Sequence, residues 1–176
     1  MPEIYDLDNL MAEKKEIANV LVNGDIWTAN LLWKKENNNR ERQLRALVDW
    51  QAIHAGSPAE DVAFCFVCVL SGKDRRKFWR RGLSLMYSYV VEELGGEQPP
   101  YTENELVESY LRLFPLIATI YIGRFAVILM HAMGVLPEEK RAEQMAHAAE
   151  KMRCAAEDAL RMFHEQREAT LQNGSQ

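Results

Sequence analysis

The chain has 176 residues, 48% apolar and 27% charged, which is enough chain to bury the core of one ordinary globular domain. Its formal net charge is −5, and because duplex binding requires a basic face, this balance argues against a nucleic-acid-binding protein. The most apolar run, 113–130, is broken by Arg124 and preceded by Arg112, so we expect no membrane span.

The cysteines and the first residues indicate the cellular compartment. Three cysteines form an odd set, and the first ten residues contain no apolar leader segment. Both features favour free thiols in a reducing environment over a disulfide framework, so the sequence predicts a cytoplasmic protein.

The first third of the chain reads as a helix followed by short strands. Residues 6–17 have an approximate apolar stripe that predicts a helix, and the apolar run 18–22 predicts a strand. Segments 31–34 and 43–49 flank a polar, asparagine-rich stretch at 36–42. This pattern predicts a β-hairpin.

The next segments read as helices. Ser57 and Pro58 are suited to begin a helix over 59–70, which is apolar nearly all round and is therefore expected to be deeply buried. Gly72 is expected to end it, and a second helix is expected over 74–94.

Two long helices complete the pattern. Thr102 and Glu105 form a capping box that predicts the start of a helix over 103–134, and Pro115 should kink or split that helix. A last helix is expected over 137–170.

Together these elements predict one domain over 1–170, mainly α with a small β-hairpin element, and a flexible tail at 171–176.

Three polar side chains stand at the ends of the strand-like segments. Asp25 and Asn30 follow the first strand, and Asp49 ends the hairpin. Acidic and amide side chains in such places can hold Mg²⁺ and aim a hydroxyl at a phosphate. The alternative is that they are loop residues that cap turns.

These residues belong to three motifs in order: N-G-D-I-W-T-A-N, V-D-W-Q and G-S-P-A-E-D. The set resembles the catalytic lobe of the CHK kinase-like family, whose pattern is H-G-D-x-W-x-x-N, I/V-D-W-Q and G-S-P-x-x-D. That group includes the ecdysteroid-kinase-like proteins and lies within the choline kinase and aminoglycoside phosphotransferase superfamily. The resemblance implies the C-terminal lobe of a protein-kinase-like fold, and an ATP- and Mg²⁺-dependent phosphotransferase that acts on a small-molecule hydroxyl, choline-like or steroid-like.

The resemblance also assigns roles to individual residues. Asp25 matches the catalytic aspartate that accepts or orients the substrate hydroxyl, and Asn30 and Asp49 match the metal ligands. Asp61 matches an aspartate that supports the catalytic loop from a helix start. Asn23 stands where the family has a histidine that ties this loop to the metal-binding segment.

Only 22 residues precede Asn23, so the glycine-rich loop and the ATP-contacting lysine of the family are not in this chain. We therefore expect an impaired enzyme with exposed apolar surface that favours self-association. The alternative function is a catalytically inactive pseudokinase, or a helical interaction module, that binds a partner.

Several other features leave two interpretations open. Cys65 and Cys68 form a C-x-x-C pair that could bind a metal, although free thiols on an apolar helix are favoured. Arg112 and Arg124 could face a substrate cleft or pair with a carboxylate. A basic run is read as a solvated helix face rather than a phosphate patch. Its members are Arg75, Arg76, Lys77, Arg80 and Arg81.

The tryptophans and histidines are less specific. Three tryptophans could line a substrate pocket or pack in the core: Trp27, Trp33 and Trp50. Four histidines are spaced without the pattern of a zinc site: His54, His131, His147 and His164.

Overall fold

The computed structural model of the protein describes residues 19–34 and 43–173. The predicted helix at 6–17 and the polar loop at 36–42 lie outside the described residues. The strands are β1 (Val20–Val22), β2 (Leu31–Trp33), β3 (Leu44–Leu47) and β4 (His54–Gly56). The helices are α1 (Glu60–Val69), α2 (Gly72–Glu93), α3 (Glu103–Val135) and α4 (Glu138–Asn173). The fold is therefore mainly α with a small β element, as the sequence predicts.

The strands form two antiparallel pairs. β2 pairs with β3, with Leu31 opposite Leu47, so the predicted hairpin pairing is confirmed. β1 pairs with β4, with Val22 opposite His54. Strand β4, residues 54–56, is an element that the sequence does not predict. A strand of three residues is too short to show an alternating pattern, and its partner lies far away in the sequence.

Helix α1 begins at Glu60, one residue later than predicted. Ser57 contributes to this start, since its hydroxyl accepts a hydrogen bond from the backbone N–H of Ala59 at 3.2 Å. Ala63 and Val67 are fully buried, whereas Val69 is 40% exposed. The expected deep burial of the whole helix is therefore wrong, because α1 buries one face only.

Gly72 begins α2 and does not terminate α1. Ser71 caps α2 by accepting the backbone N–H of Asp74 at 3.1 Å, and the Ser71 hydroxyl donates to the Asp74 carboxylate at 2.8 Å. A Cβ at position 72 would lie 2.3 Å from Cβ of Cys154. Glycine at this position lets α4 approach α2 closely.

Helix α3 begins with the predicted capping box and continues unbroken past Pro115. Thr102 and Glu105 exchange the expected hydrogen bonds, from the Thr102 N–H at 2.7 Å and the Glu105 N–H at 3.2 Å. Because proline has no N–H, it cannot bond the carbonyl of Leu111 one turn earlier. The Nε2 of Gln166 on α4 donates to that carbonyl at 2.6 Å. The predicted split is therefore wrong, since a neighbouring helix replaces the missing bond.

The core lies around α3, against which α1, α2 and α4 pack. Its centre is aromatic: Tyr110 is fully buried, with Trp79 stacked on it at a centroid distance of 5.1 Å and Phe114 at 5.5 Å. The α4 side of the core contains two small residues, Ala155 and Ala159, together with Met162. Burying these large rings supplies much of the apolar area that stabilises the fold.

A buried ion pair joins α2 to α4. Nη2 of Arg75 lies 2.7 Å from Oδ2 of Asp158, and the two side chains are only 2% and 4% exposed. Arg76 Nε donates to the other carboxylate oxygen at 2.7 Å. The prediction that the basic run is a solvated helix face is therefore wrong at Arg75, which is buried. Its partner lies on a helix that is distant in the sequence.

Part of α3, Glu103–His131, is long and apolar enough to cross a membrane by length and composition alone. Arg112 and Arg124, which interrupt this segment, do not lower its mean hydropathy below that of a membrane-spanning helix. The same helix supplies Tyr110, Phe114 and Tyr121 to the core, and core helices of soluble proteins pass the same test.

Candidate functional site

The loop after β1 is fixed by one carboxylate at the start of α1. Asp61 accepts the backbone N–H of Asn23 at 2.8 Å and that of Gly24 at 2.9 Å. Charge-assisted bonds of this kind are about twice as strong as neutral ones. The structure thus places Asp61 as a support of the loop that carries Asp25.

Asn23 connects this loop to the segment that carries Asp49. Its side chain is 1% exposed, its Nδ2 donates to the backbone carbonyl of Asp49 at 3.2 Å, and its Oδ1 accepts the N–H of Asp25 at 3.1 Å. An asparagine therefore makes the link that the family resemblance assigns to a histidine.

Gly24 lies between these two residues with φ at +78°. A Cβ at this position would lie 2.7 Å from the backbone oxygen of Ala52. Both the left-handed conformation and the contact require glycine, so the turn that presents Asp25 admits no side chain at residue 24.

Asp25 is held by two side chains from different parts of the chain. Nδ2 of Asn30 donates to Asp25 Oδ2 at 3.2 Å and to its backbone carbonyl at 2.9 Å. Nη1 of Arg124 donates to Asp25 Oδ1 at 3.2 Å, and the aspartate side chain is 14% exposed. The carboxylate is thus oriented from both sides.

Asn30 lies at the end of a one-turn 3₁₀ helix, Thr28–Asn30, and is 7% exposed. Its backbone carbonyl accepts the N–H of Val48 at 3.0 Å. This bond places the backbone next to Asp49 beside Asn30. Because the Nδ2 of Asn30 faces Asp25, its Oδ1 is the atom suited to a cation.

Asp49 adopts a conformation that few residues other than glycine take, with φ at 60°. A left-handed conformation costs roughly 1 kcal/mol for an L-residue, and such strain concentrates at functional sites. The carboxylate is exposed, with Oδ2 3.5 Å from Nε2 of Gln51. Among residues 19–34 and 43–173, no hydrogen bond joins it to Asp25 or to the Asn30 side chain.

A cavity of about 200 Å³ opens beside Asp25. Arg124 is the other charged residue at its lining, and the walls are largely aromatic. The aromatic side chains that line it are Trp27, Phe64, Tyr121 and Phe125. Trp27 therefore lies at the cavity, whereas Trp33 and Trp50 are 50% and 43% exposed and line neither the cavity nor the core.

Arg124 satisfies both interpretations that the sequence leaves open. It faces the cavity and it pairs with a carboxylate, that of Asp25, 99 positions away in the sequence. Its guanidinium carbon lies 5.9 Å from the ring centroid of Phe64. The only sequence signal was a single arginine in an apolar helix, which names no partner. Arg112, three turns earlier on α3, is half-buried and does not line the cavity.

Tyr121 lines the same cavity, and its hydroxyl is buried. The residue is 4% exposed, and its hydroxyl has no hydrogen-bond partner within the described part of the chain. Burial raises the pKa of this hydroxyl above its usual value, so it is a neutral donor at physiological pH.

Cys65 and Cys68 are free thiols in the structure. Burial raises the pKa of both, that of Cys68 to about 12, so neither forms a thiolate readily at neutral pH. In the described ranges no three His, Cys, Asp or Glu side chains group as a metal site. The set predicted for Mg²⁺ is smaller than such a group, because it has one carboxylate, that of Asp49, and the amide of Asn30.

Comparison with known proteins gives one family and one curated relative. The family model DUF1679, described as "Uncharacterized oxidoreductase dhs-27", matches residues 3–167. A protein of Caenorhabditis elegans with the same name, "Uncharacterized oxidoreductase dhs-27", is 26% identical over 103 residues. That alignment covers 56% of this chain and 13% of the relative. No solved structure matches the chain significantly.

Proposed function

Because the chain belongs to the DUF1679 family, we propose that it carries the hydroxyl-orienting and Mg²⁺-holding part of an ATP-dependent small-molecule phosphotransferase. The family is related to the CHK kinase-like group, whose three motifs this sequence resembles. The observation that carries the proposal is the contact between Asp25 and Asn30, in a loop that Asp61 fixes through two backbone bonds.

The donor chemistry fits a magnesium ion. Mg²⁺ prefers hard oxygen ligands, usually one or two carboxylates, and keeps phosphate oxygens and water in the rest of its shell. The Asp49 carboxylate and Oδ1 of Asn30 would supply protein ligands of this kind. When bound, the ion would neutralise charge on the phosphate groups.

Asp25 would serve the acceptor. As the substrate hydroxyl oxygen bonds to the transferred phosphorus, the bond from phosphorus to the leaving diphosphate breaks, and Asp25 takes the hydroxyl proton. Asn23 and Asn30 fix the position of Asp25, and positioning supplies most of the catalysis in phosphoryl transfer. The aromatic cavity beside it would hold the body of the acceptor and exclude water.

A second candidate function is a non-catalytic module that binds a ligand or partner. Arg124 already occupies one oxygen of the Asp25 carboxylate, and asparagine replaces the family histidine at Asn23. The word oxidoreductase in the family description is the name of the Caenorhabditis elegans relative, and the alignment covers 13% of that relative's length. We also propose self-association through exposed apolar side chains of the hairpin, such as Trp33, which sedimentation velocity would detect.

Calorimetric titration with Mg²⁺·ATP tests the phosphotransferase proposal. Asp49→Asn is the informative variant, because asparagine tolerates the left-handed backbone and removes only the charge. We expect the wild type to release or absorb heat on binding Mg²⁺·ATP. The affinity should be at least tenfold lower in Asp49→Asn and unchanged in Glu60→Gln. Asp25→Asn should bind the nucleotide and transfer no phosphoryl group. Absence of any nucleotide heat in the wild-type chain would refute the proposal and favour the module.

A further inference from the structure

The cavity beside Asp25 carries almost no net charge. Asp25 and Arg124 are the charged residues that line it among the described residues, and they pair with each other at 3.2 Å. A ligand that enters the cavity therefore meets a neutralised carboxylate and a guanidinium group.

Because the walls of the cavity are aromatic, the neutralisation of Asp25 by Arg124 affects which ligands the cavity can bind. Aromatic faces with a nearby free carboxylate attract organic cations such as quaternary ammonium groups. Here the guanidinium of Arg124 lies 5.9 Å from the Phe64 ring centroid and also bonds Asp25. A cationic ligand would have to displace a cation of the protein itself from both positions.

We propose that Arg124 is a specificity-determining residue that makes this cavity accept uncharged, ring-bearing alcohols and reject cationic ones. The inference rests on the proposed function for the assignment of the cavity as the acceptor site. It separates the two substrate classes that the sequence leaves open, because a choline-like acceptor is a cation and a steroid-like acceptor is not. The flat rings of the walls match a flat apolar body.

The other polar groups of the cavity agree with an uncharged alcohol. Asp25 has lone pairs left to accept a hydroxyl proton beside its bonds to Asn30 and Arg124. Tyr121 lines the cavity too, but its hydroxyl is buried, neutral and without a partner among the described residues. Neither group supplies a free negative charge to balance a cation.

Three phenols of matched shape and different charge test the proposal: 4-ethylphenol is neutral, tyramine is a cation and 3-(4-hydroxyphenyl)propionate is an anion. Their affinities for the intact chain are measured by ligand-observed NMR, without nucleotide. We expect 4-ethylphenol to bind the wild type at least tenfold more tightly than tyramine. The ratio should reverse in Arg124→Gln, because the variant leaves Asp25 and Phe64 free for the cation.

Two further variants control for charge and for position. Arg124→Lys keeps a positive charge and should keep the wild-type order of affinities. Arg112→Gln removes an arginine of the same helix that does not line the cavity, and should change none of the affinities. Arg124 is 56% exposed, so its replacement should leave the melting temperature within a few degrees of the wild type.

The proposal fails if tyramine binds the wild type as tightly as 4-ethylphenol. It also fails if Arg124→Gln leaves the ratio unchanged, or if none of the three phenols binds. Because nucleotide is absent, these outcomes are independent of the Mg²⁺·ATP titration. A charge-dependent ratio without nucleotide binding would refute the phosphotransferase function and leave the selectivity of Arg124 standing.

Discussion

Replacing Asp61 by asparagine removes one charge and one acceptor oxygen from the support of the catalytic loop. In the wild type, the two carboxylate oxygens accept the N–H groups of Asn23 and Gly24 at 2.8 and 2.9 Å. An asparagine side chain has one acceptor oxygen, so one of these N–H groups would face an amide NH₂.

The expected loss can be worked out from these two bonds. A hydrogen bond to a charged group contributes about 1.5–3 kcal/mol, and a neutral one about 1 kcal/mol. Losing one bond and weakening the other should lower the free energy of unfolding by about 2–5 kcal/mol. For a chain of this size, that corresponds to a fall of roughly 4–20 °C in melting temperature.

Urea unfolding gives the free energy, and hydrogen exchange at the amides of Asn23 and Gly24 locates the effect. Glu60→Gln is the matched control, because Glu60 lies in the same first turn of α1 and loses the same favourable interaction with the helix dipole. Among the described residues Glu60 pairs with the partly exposed His54, so its loss should cost under about 1 kcal/mol.

The argument for Asp61 would be refuted by either of two results. One is a loss of stability in Asp61→Asn no larger than that in Glu60→Gln. The other is unchanged exchange at the two amides, which would show that the loop is held by other contacts.

The buried ion pair and one surface histidine give two further predictions. Asp158→Asn should lower the free energy of unfolding by about 3–5 kcal/mol, because it leaves Arg75 buried beside a neutral partner. The control is Glu157→Gln at the neighbouring position, which should cost under about 1 kcal/mol because Glu157 pairs at the surface. The Ala52 carbonyl and the Glu60 carboxylate raise the pKa of His54 above its usual 6.5. The His54 contribution to stability should therefore be present below pH 6.5 and lost as the pH rises through the raised pKa.

Urea unfolding decides the first of these, and equal losses in Asp158→Asn and Glu157→Gln would contradict it. NMR titration of the His54 ring gives the pKa directly. The difference in unfolding free energy between the wild type and His54→Gln, followed from pH 5 to 9, isolates this histidine from the other three. A difference that grows with pH would contradict the assigned sign.

The parts of the fold that could be predicted from sequence are those determined by neighbours in the chain. The capping box of Thr102 and Glu105 and the two short segments that flank the asparagine-rich stretch are local signals, and the structure shows the capping bonds and the β2–β3 pairing. The predicted start of α2 is two residues late, because glycine is typical of helix ends, whereas here Ser71 and Asp74 form a local cap and Gly72 is the first residue of the helix.

The parts that could not be predicted depend on contacts across the fold. Nothing near Arg75 indicates a carboxylate 83 positions later, and nothing near Pro115 indicates that Gln166 will bond the carbonyl left free one turn before it. Asp25 is part of a sequence motif. Arg124 belongs to no motif, and its contact with Asp25 exists because α3 packs beside the loop.

Three polar contacts from α4 to three different helices help to fix its position along them. The face that α4 presents to the core contains Ala155 and Ala159 beside Met162, and the two small side chains would resist lengthwise sliding only weakly. Lys151 bonds the Cys68 carbonyl of α1, Asp158 bonds α2, and Gln166, about 12 Å beyond Asp158 along the helix axis, bonds α3. A slip of one turn would carry all three groups about 5.4 Å from their partners and leave them unpaired together. These three bonds on separate neighbours therefore favour a single register for the helix.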